Sequence, residues 1–215
     1  MRYITKKPEP VKFSIWRKKR TPAEQQAWGS LKSEDGALVK SEVKAALLVE
    51  QGYVCCYCEQ RIEETSSHIE HLASRDDFPK RVFDYSNLLA CCQKPVQCGS
   101  LKGRKEIKVH PLLPDCREHF RFTSDGRILA TTPVAKEAIS ILGLGISSLN
   151  AQRRCALIGF TDALKGMEPV QARQALARID EVDSQGKNTP FASAILCVFK
   201  PQSTGAPTTQ GTPKK

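Results

Sequence analysis

Apolar residues near the start of the chain recur at the spacing of an amphipathic helix. From position 35 to position 51 the pattern is helical, and Gly52 follows where a left-handed residue commonly ends a helix. The apolar face comprises Leu38, Val39, Val43, Ala46 and Leu47. The sequence therefore predicts one helix over residues 35–51.

The next segment, residues 53–110, has short and broken apolar runs and holds most of the cysteine and histidine. That pattern predicts hairpins and loops organised by a metal ion in place of a large apolar core. Further along, the Asp125-Gly126 pair marks a turn between two short apolar runs, Phe120–Phe122 and Ile128–Ala130.

Helical periodicity returns from Pro133 onward. The first helical stripe comprises Leu149, Arg153, Ala156, Leu157, Phe160 and Leu164. The second comprises Ala172, Ala175, Leu176 and Ile179, with Pro169 near its first turn. Residues 191–199 are typical of a last, well-buried helix, whereas the tail from Lys200 is rich in Pro, Thr, Gly, Gln and Ser, which predicts disorder.

The charge of the chain is unevenly distributed. The first 20 residues carry eight basic side chains against Glu9, a net +7 of the total +10. Such a balance favours a polyanionic partner, because Lys and Arg displace counterions from phosphates. A solvated, partly disordered arm is the equally weighted alternative.

No apolar stretch approaches the length of a membrane helix, and the basic N-terminus lacks the apolar region of a signal peptide. We therefore expect a cytoplasmic protein with no membrane partner. Because that compartment is reducing, clustered cysteines are more often metal ligands than disulfides.

Two cysteine groups bracket a histidine-rich segment. Cys55 and Cys58 form a C-x-x-C pair, and Cys91, Cys92 and Cys98 follow 33 residues or more later. Four thiolates from two such knuckles complete a tetrahedral zinc site, which is structural because no coordination position stays open. The alternative is that these are ordinary small core residues.

The segment His68-Ile69-Glu70-His71 concentrates groups that phosphodiester hydrolysis requires. In a strand His68 and Glu70 share one face and His71 takes the other. An imidazole can deprotonate water, and a carboxylate can bind a hard cation that stabilises charge on a phosphate. Both histidines could instead be zinc ligands, although their H-x₂-H spacing is shorter than the spacing in zinc fingers.

In combination these motifs resemble the HNH endonuclease family. They read Cys55…Cys58, then Glu70-His71, then Asn87-Leu88-Leu89-Ala90-Cys91-Cys92, then Cys98-Gly99-Ser100-Leu101-Lys102-Gly103. The resemblance implies a ββα-metal fold in which His71 is the general base, Asn87 orients it and Glu70 binds Mg²⁺ or Mn²⁺. It also selects Cys92 over Cys91 as the fourth ligand of the structural Zn²⁺.

One position departs from that family. Many HNH proteins place Asn or His directly after the last cysteine as another metal ligand, and here the position is Gly99. We expect His68 to take over that task beside Glu70. Nucleic acid is expected to contact the basic residues that close the motif, Lys102, Arg104 and Lys105.

Wider patterns resemble the PtuB-like effectors of Septu anti-phage defence systems and of some retrons. They include the opening Met-Arg-Tyr-Ile, the DYSNLL run at 84–89 and the LGLGISSLNAQRR run at 142–154. The resemblance implies partnership with an ABC/SMC-like ATPase, PtuA, and in retrons also with a reverse transcriptase and its DNA–RNA product. The target implied is a nucleic acid, either DNA or tRNA.

The predicted fold class is thus α+β, divided into four regions. A basic arm (1–34) precedes an HNH core with its zinc site (35–110), a helical C-terminal region (111–199) and a disordered tail (200–215). Two non-catalytic alternatives stay open. A zinc-ribbon module that binds nucleic acid leaves the arrangement of Glu70, His71 and Asn87 to chance, and a zinc-stabilised protein scaffold leaves the basic arm unexplained.

Overall fold

The computed structural model describes residues 1–200 and has a mixed architecture of helices and small sheets. The helices are α1 (Val11–Lys18), α2 (Glu34–Glu50), α3 (Cys98–Lys102), α4 (Pro133–Leu142), α5 (Ser147–Leu164), α6 (Pro169–Ala177) and α7 (Ala192–Phe199). The strands are β1 (Ser67–His71), β2 (Leu88–Cys92), β3 (Phe120–Phe122) and β4 (Ile128–Ala130). The predicted combination of helices and strands is confirmed.

Strands β1 and β2 form an antiparallel pair that carries most of the residues of interest. In its register, His68 lies opposite Cys91 and Glu70 lies opposite Leu89. Side chains alternate along a strand, so His68 and Glu70 share one face, as predicted. The short helix α3 follows and packs against β2, which gives the order strand, strand, helix around one site.

Helix α2 begins and ends for local reasons. The Ser33 side chain accepts a hydrogen bond from Gly36 N–H (3.3 Å), which caps the first turn. The chain leaves the helix through Gly52, whose φ of +56° suits glycine. The predicted helix is confirmed, but Leu38 is 71% exposed, because the buried face follows Val39 and the residues four and eight positions later.

The basic N-terminal segment is folded against the rest of the chain. Phe13 and Trp16 of α1 are buried, and the Lys6 ammonium lies 2.5 Å from Glu50 Oε1. Arg17 pairs with Glu9 at 2.9 Å. Much of the positive charge of this segment is therefore neutralised internally, which differs from a solvated arm.

The second half of the described chain confirms the predicted turn and helices. Strands β3 and β4 pair on either side of the Asp125-Gly126 turn. Thr132 accepts a hydrogen bond from Ala135 N–H to cap α4, and Pro169 occupies the first turn of α6. The prediction of disorder for the tail falls, after Lys200, on residues 201–215, outside the described residues.

The larger of two hydrophobic clusters in the described residues joins three of the four predicted regions. It contains Met1 from the arm, Leu89 from the hairpin and Leu149 from the helical part, each at most 2% exposed. The sites described below therefore share one hydrophobic core. Across residues 1–200, no helix combines the length and the apolar character that a bilayer span demands.

Candidate active site and metal centre

Four cysteine sulfurs converge as the sequence predicts for a metal centre. The Sγ atoms of Cys55, Cys58, Cys92 and Cys98 lie within 4.8 Å of one another, and all four residues are buried. Zinc–sulfur bonds of about 2.3 Å in a tetrahedron place sulfurs about 3.8 Å apart, which falls within this limit. The cluster could therefore hold a metal ion.

Three local structures bring these sulfurs together. Cys55 and Cys58 lie in a tight turn, in which Glu59 N–H donates to the Cys55 carbonyl (3.1 Å). Cys92 ends β2, and Cys98 begins α3 with a φ of +55°, a left-handed conformation that non-glycine residues adopt at a cost of about 1–2 kcal/mol. The fold thus accepts local strain to direct the Cys98 sulfur inward.

Two further cysteines, Cys56 and Cys91, lie beside this centre. Cys56 and Cys91 form a second group with Cys55, again with all sulfurs within 4.8 Å of one another. Cys55 Sγ and Cys91 Sγ are 3.9 Å apart. Their sequence signal is the doubling of each knuckle, Cys55-Cys56 and Cys91-Cys92.

An open cleft of about 310 Å³ lies on the hairpin, lined by His68, Glu70, His71 and Gly99. His68 Nε2 is 3.4 Å from Glu70 Oε2. Two donors that bind one divalent cation at about 2.1 Å are separated by about 3.0–3.4 Å. The pair therefore has the spacing of two ligands of a single ion.

Gly99 leaves room for that pair. A Cβ atom at this position would lie 2.4 Å from Glu70 Oε2 and 2.9 Å from His68 Nε2. In the described structure the two side chains occupy the volume that an Asn or His at position 99 would take. His68 and Glu70 thus lie together in the space that Gly99 leaves open.

The His71 imidazole has a defined orientation. Its Nε2 lies 2.9 Å from the Val82 carbonyl oxygen, which only accepts hydrogen bonds, so Nε2 carries the proton and Nδ1 keeps a free electron pair. Trp28 packs edge to face against the ring, with centroids 4.6 Å apart. Burial lowers the pKa of His71 to about 4, against the opposing effect of the Val82 carbonyl, so the ring is neutral near pH 7.

Asn87 is fully buried and bonds to the backbone that flanks His71. Its Oδ1 accepts from Ala73 N–H (2.8 Å), and its Nδ2 donates to the carbonyls of Ala73 (3.1 Å) and Arg81 (3.2 Å). Arg81 directly precedes Val82. Asn87 therefore fixes the loop whose carbonyl orients the imidazole, and it does so without a hydrogen bond to the ring.

Lys102 differs from the expectation that it contacts nucleic acid. It is only 2% exposed, and its ammonium lies 3.0 Å from Glu70 Oε1 and donates to the carbonyls of His71 (3.0 Å) and Gly103 (3.3 Å). Although burial raises the pKa of Glu70, the His68 hydrogen bond and the Lys102 charge outweigh it and lower that pKa. Lys102 therefore stabilises the buried part of the site and is not available to contact nucleic acid.

The other two basic residues of the closing motif face solvent. Arg104 lines the cleft and pairs with Asp77 (2.6 Å) and Asp76 (3.5 Å), while Lys105 is exposed. Arg75, also at the cleft, lies over the Trp28 ring at 5.8 Å. The rim of the cleft thus carries two guanidinium groups, of which Arg104 is paired with aspartates.

Comparison with known proteins supports the resemblance to HNH endonucleases and PtuB-like proteins. No family model matches the chain. It is 32% identical over 97 residues to "Retron Vc95 putative HNH endonuclease" of Vibrio cholerae serotype O1 biovar El Tor, covering 42% of this chain and 47% of that protein. It is 34% identical over 76 residues to "Septu protein PtuB" of Bacillus thuringiensis, covering 34% of this chain and 28% of that one.

Each alignment spans less than half of the relative that it matches. Even so, both relatives fall in the groups to which the sequence motifs point. The predicted resemblance to HNH nucleases and PtuB-like defence effectors is confirmed by these two relatives.

Proposed function

We propose that this protein is a metal-dependent HNH endonuclease that hydrolyses phosphodiester bonds in nucleic acid. The observation that carries the proposal is the meeting, in one open cleft, of an oriented neutral imidazole with a pair of metal-binding side chains. The strand–strand–helix order around that cleft would be the ββα-metal core.

His71 is the general base. With Nε2 held by the Val82 carbonyl, Nδ1 takes the proton from a water molecule that attacks the phosphorus. The low pKa keeps this nitrogen unprotonated near pH 7. Asn87 is a positioning residue, because it holds the loop that carries the Val82 carbonyl.

Glu70 Oε2 and His68 Nε2 would hold the divalent cation, Mg²⁺ or Mn²⁺. When bound, such an ion stabilises the negative charge that develops on the phosphate and the leaving oxygen. Lys102 holds the other carboxylate oxygen of Glu70 and so keeps Oε2 directed toward the cleft. Arg104 and Lys105 at the surface would attract the phosphate backbone.

Cys55, Cys58, Cys92 and Cys98 would bind a structural Zn²⁺. A closed Cys₄ site supplies no open position for chemistry and contributes to folding. By analogy with the retron and Septu relatives, the enzyme would act in anti-phage defence, with a PtuA-like ABC/SMC ATPase and, in a retron, a reverse transcriptase with its DNA–RNA product. The substrate would be DNA or tRNA.

The deciding experiment is a cleavage assay on supercoiled plasmid and on tRNA with Mg²⁺ or Mn²⁺. The wild-type protein is compared with His71→Ala, both alone and co-expressed with any ATPase encoded beside it. Loss of a general base typically costs about 10²–10⁴ in rate. His119→Ala is the matched control, because His119 bonds to Asp115 and Thr132 away from the cleft.

Full activity in His71→Ala would refute the mechanism. If the wild-type protein binds nucleic acid but cleaves none in any of these conditions, the non-catalytic zinc-ribbon module becomes the better description. Binding of protein partners alone would favour the scaffold.

A further inference from the structure

Three buried thiols form a group that the proposed zinc site does not use in full. Cys55, Cys56 and Cys91 have their sulfurs within 4.8 Å of one another, and only Cys55 also belongs to the Cys₄ cluster. Cys55 Sγ and Cys91 Sγ are 3.9 Å apart. Three thiolates around one ion, with metal–sulfur bonds of about 2.3 Å, are separated by about 4 Å.

The backbone around this group is fixed by hydrogen bonds. Cys56 N–H donates to the Ala90 carbonyl (3.1 Å), which ties the first cysteine pair to the strand that carries the second. Cys92 N–H donates to Cys55 Sγ at 3.4 Å, and Gly99 N–H donates to Cys91 Sγ at 3.3 Å. Such donors stabilise negative charge on sulfur, as they do around metal-bound thiolates.

The group also adjoins a second cavity, away from the hairpin cleft. Cys55 and Cys56 line a space of about 380 Å³ together with Arg2, Lys7 and Asn188. Asn188 is 6% exposed, and within residues 1–200 its Oδ1 has no hydrogen-bond partner. Solvent in this cavity can supply a further donor to an ion held at its wall.

Simple packing of small apolar residues explains one buried thiol but not this arrangement. A buried cysteine that serves only as a small hydrophobic residue packs equally well against aliphatic side chains. Packing alone therefore does not require three sulfurs to lie together beside a polar cavity. Thiolates select soft ions such as Zn²⁺, Cd²⁺ and Cu⁺.

We propose that Cys55, Cys56 and Cys91 form a second site for a thiophilic metal ion, with the Cys55 thiolate bridging the two ions. Binding at this second site deprotonates Cys56 and Cys91, so two protons are released for each ion bound. The two ions and their six thiolates then make one cluster at the base of the hairpin. This inference does not depend on nuclease activity.

The test counts soft ions in the folded full-length protein. Cd²⁺ is added in excess, unbound metal is removed, and bound metal per chain is measured by elemental analysis and by the number of ¹¹³Cd resonances. Two thiolate-bound ions per chain, with two ¹¹³Cd resonances in the range of sulfur ligation, are expected for the wild-type protein, and one such ion for Cys56→Ser and for Cys91→Ser. A Cd²⁺ ion held by His68 and Glu70 has nitrogen and oxygen ligands, so its resonance lies outside that range and is not counted. Cys116→Ser, a buried thiol outside both groups, should keep two.

A wild-type count of one thiolate-bound ion per chain at saturation overturns the proposal, and so does a count of two thiolate-bound ions in Cys56→Ser. Should a variant fail to fold, the wild-type count and its resonances decide by themselves. Cys58→Ser separates the two sites: it should lose the ion of the Cys₄ cluster and leave the thiols of Cys56 and Cys91 able to bind theirs.

Discussion

Replacing Lys102 with methionine tests whether a buried ion pair maintains the cleft. The substitution keeps the length of the side chain but removes the charge next to Glu70. In the native structure the two charged atoms are 3.0 Å apart, and the side chains are only 1% and 9% exposed. The change also leaves the carbonyls of His71 and Gly103 without their donor.

The expected loss of stability is large for a single substitution. Removal of one partner from a buried pair typically costs about 3–5 kcal/mol, because the remaining charge is left without compensation. Domains of this size are stable by about 5–15 kcal/mol in total. Lys102→Met should therefore still fold but unfold at a clearly lower denaturant concentration.

The same reasoning predicts a partial rescue by divalent metal. A cation bound to Glu70 replaces the missing positive charge, and a ligand at 100 times its Kd stabilises the folded state by about 2.7 kcal/mol. Tyr57 Oη still donates to Glu70 Oε1 (3.2 Å) in the variant, so Oε2 remains directed toward the cleft. Because the Lys102 ammonium no longer repels a cation at Oε2, the variant should gain more from Mn²⁺ than the wild-type protein does.

The measurement is urea unfolding followed by circular dichroism, in zinc-replete buffer with and without Mn²⁺. Lys105→Met is the matched control, because Lys105 is exposed to solvent and lies three residues further along the chain. If Lys102→Met and Lys105→Met unfold at the same urea concentration, the ion pair is not holding the site. An equal gain from Mn²⁺ in wild-type and Lys102→Met protein would refute the link to metal binding.

Three further predictions address the other parts of the site. Cys58→Ser should lower both bound zinc and soluble yield, and a zinc-free wild-type protein together with a normally folded variant would contradict the Cys₄ site. His68→Ala and Gly99→Ala should each raise the Mn²⁺ concentration for half-maximal cleavage more than they change the maximal rate. The first variant removes one proposed ligand, and the second displaces both His68 and Glu70. An unchanged half-saturating Mn²⁺ concentration in His68→Ala would show that His68 is not a metal ligand. Because burial lowers the pKa of His71 to about 4, its base form persists from pH 8 down to pH 5, so the rate attributable to this group should hold over that range. An acid limb centred near pH 6.5 would show that His71 titrates like an exposed histidine.

Local patterns were sufficient to predict much of this site. The alternation of a strand correctly placed His68 and Glu70 on one face, and their side chains meet at 3.4 Å. The spacing of Cys55 and Cys58 correctly indicated a knuckle that joins later cysteines. In both cases the geometry depends on residues two or three positions apart. Over so short a distance the backbone has few alternative conformations.

Features that depend on distant packing were not predictable in this way. The Val82 carbonyl that orients His71 is a backbone atom, 11 residues along the chain, and its role leaves no mark on residue type. Lys102 stands in a basic stretch, and only tertiary structure shows that its amine is buried against Glu70. The N-terminal charges likewise find partners far along the chain, as Lys6 does in Glu50.

The proposed metal centre and the cleft are connected through one short helix. Helix α3 begins at Cys98, a member of the Cys₄ cluster, and ends at Lys102, the partner of Glu70. Five residues are too few for a helix to persist alone in water, so its ends must be held by tertiary contacts. A metal ion on Cys98 would fix one end, and from that end the helix carries Gly99 to the wall of the cleft and Lys102 to its base. No cysteine of the Cys₄ cluster lines the cleft. Zinc would nevertheless determine the geometry of the cleft, because the Lys102–Glu70 ion pair and the space at Gly99 both depend on the helix that zinc anchors.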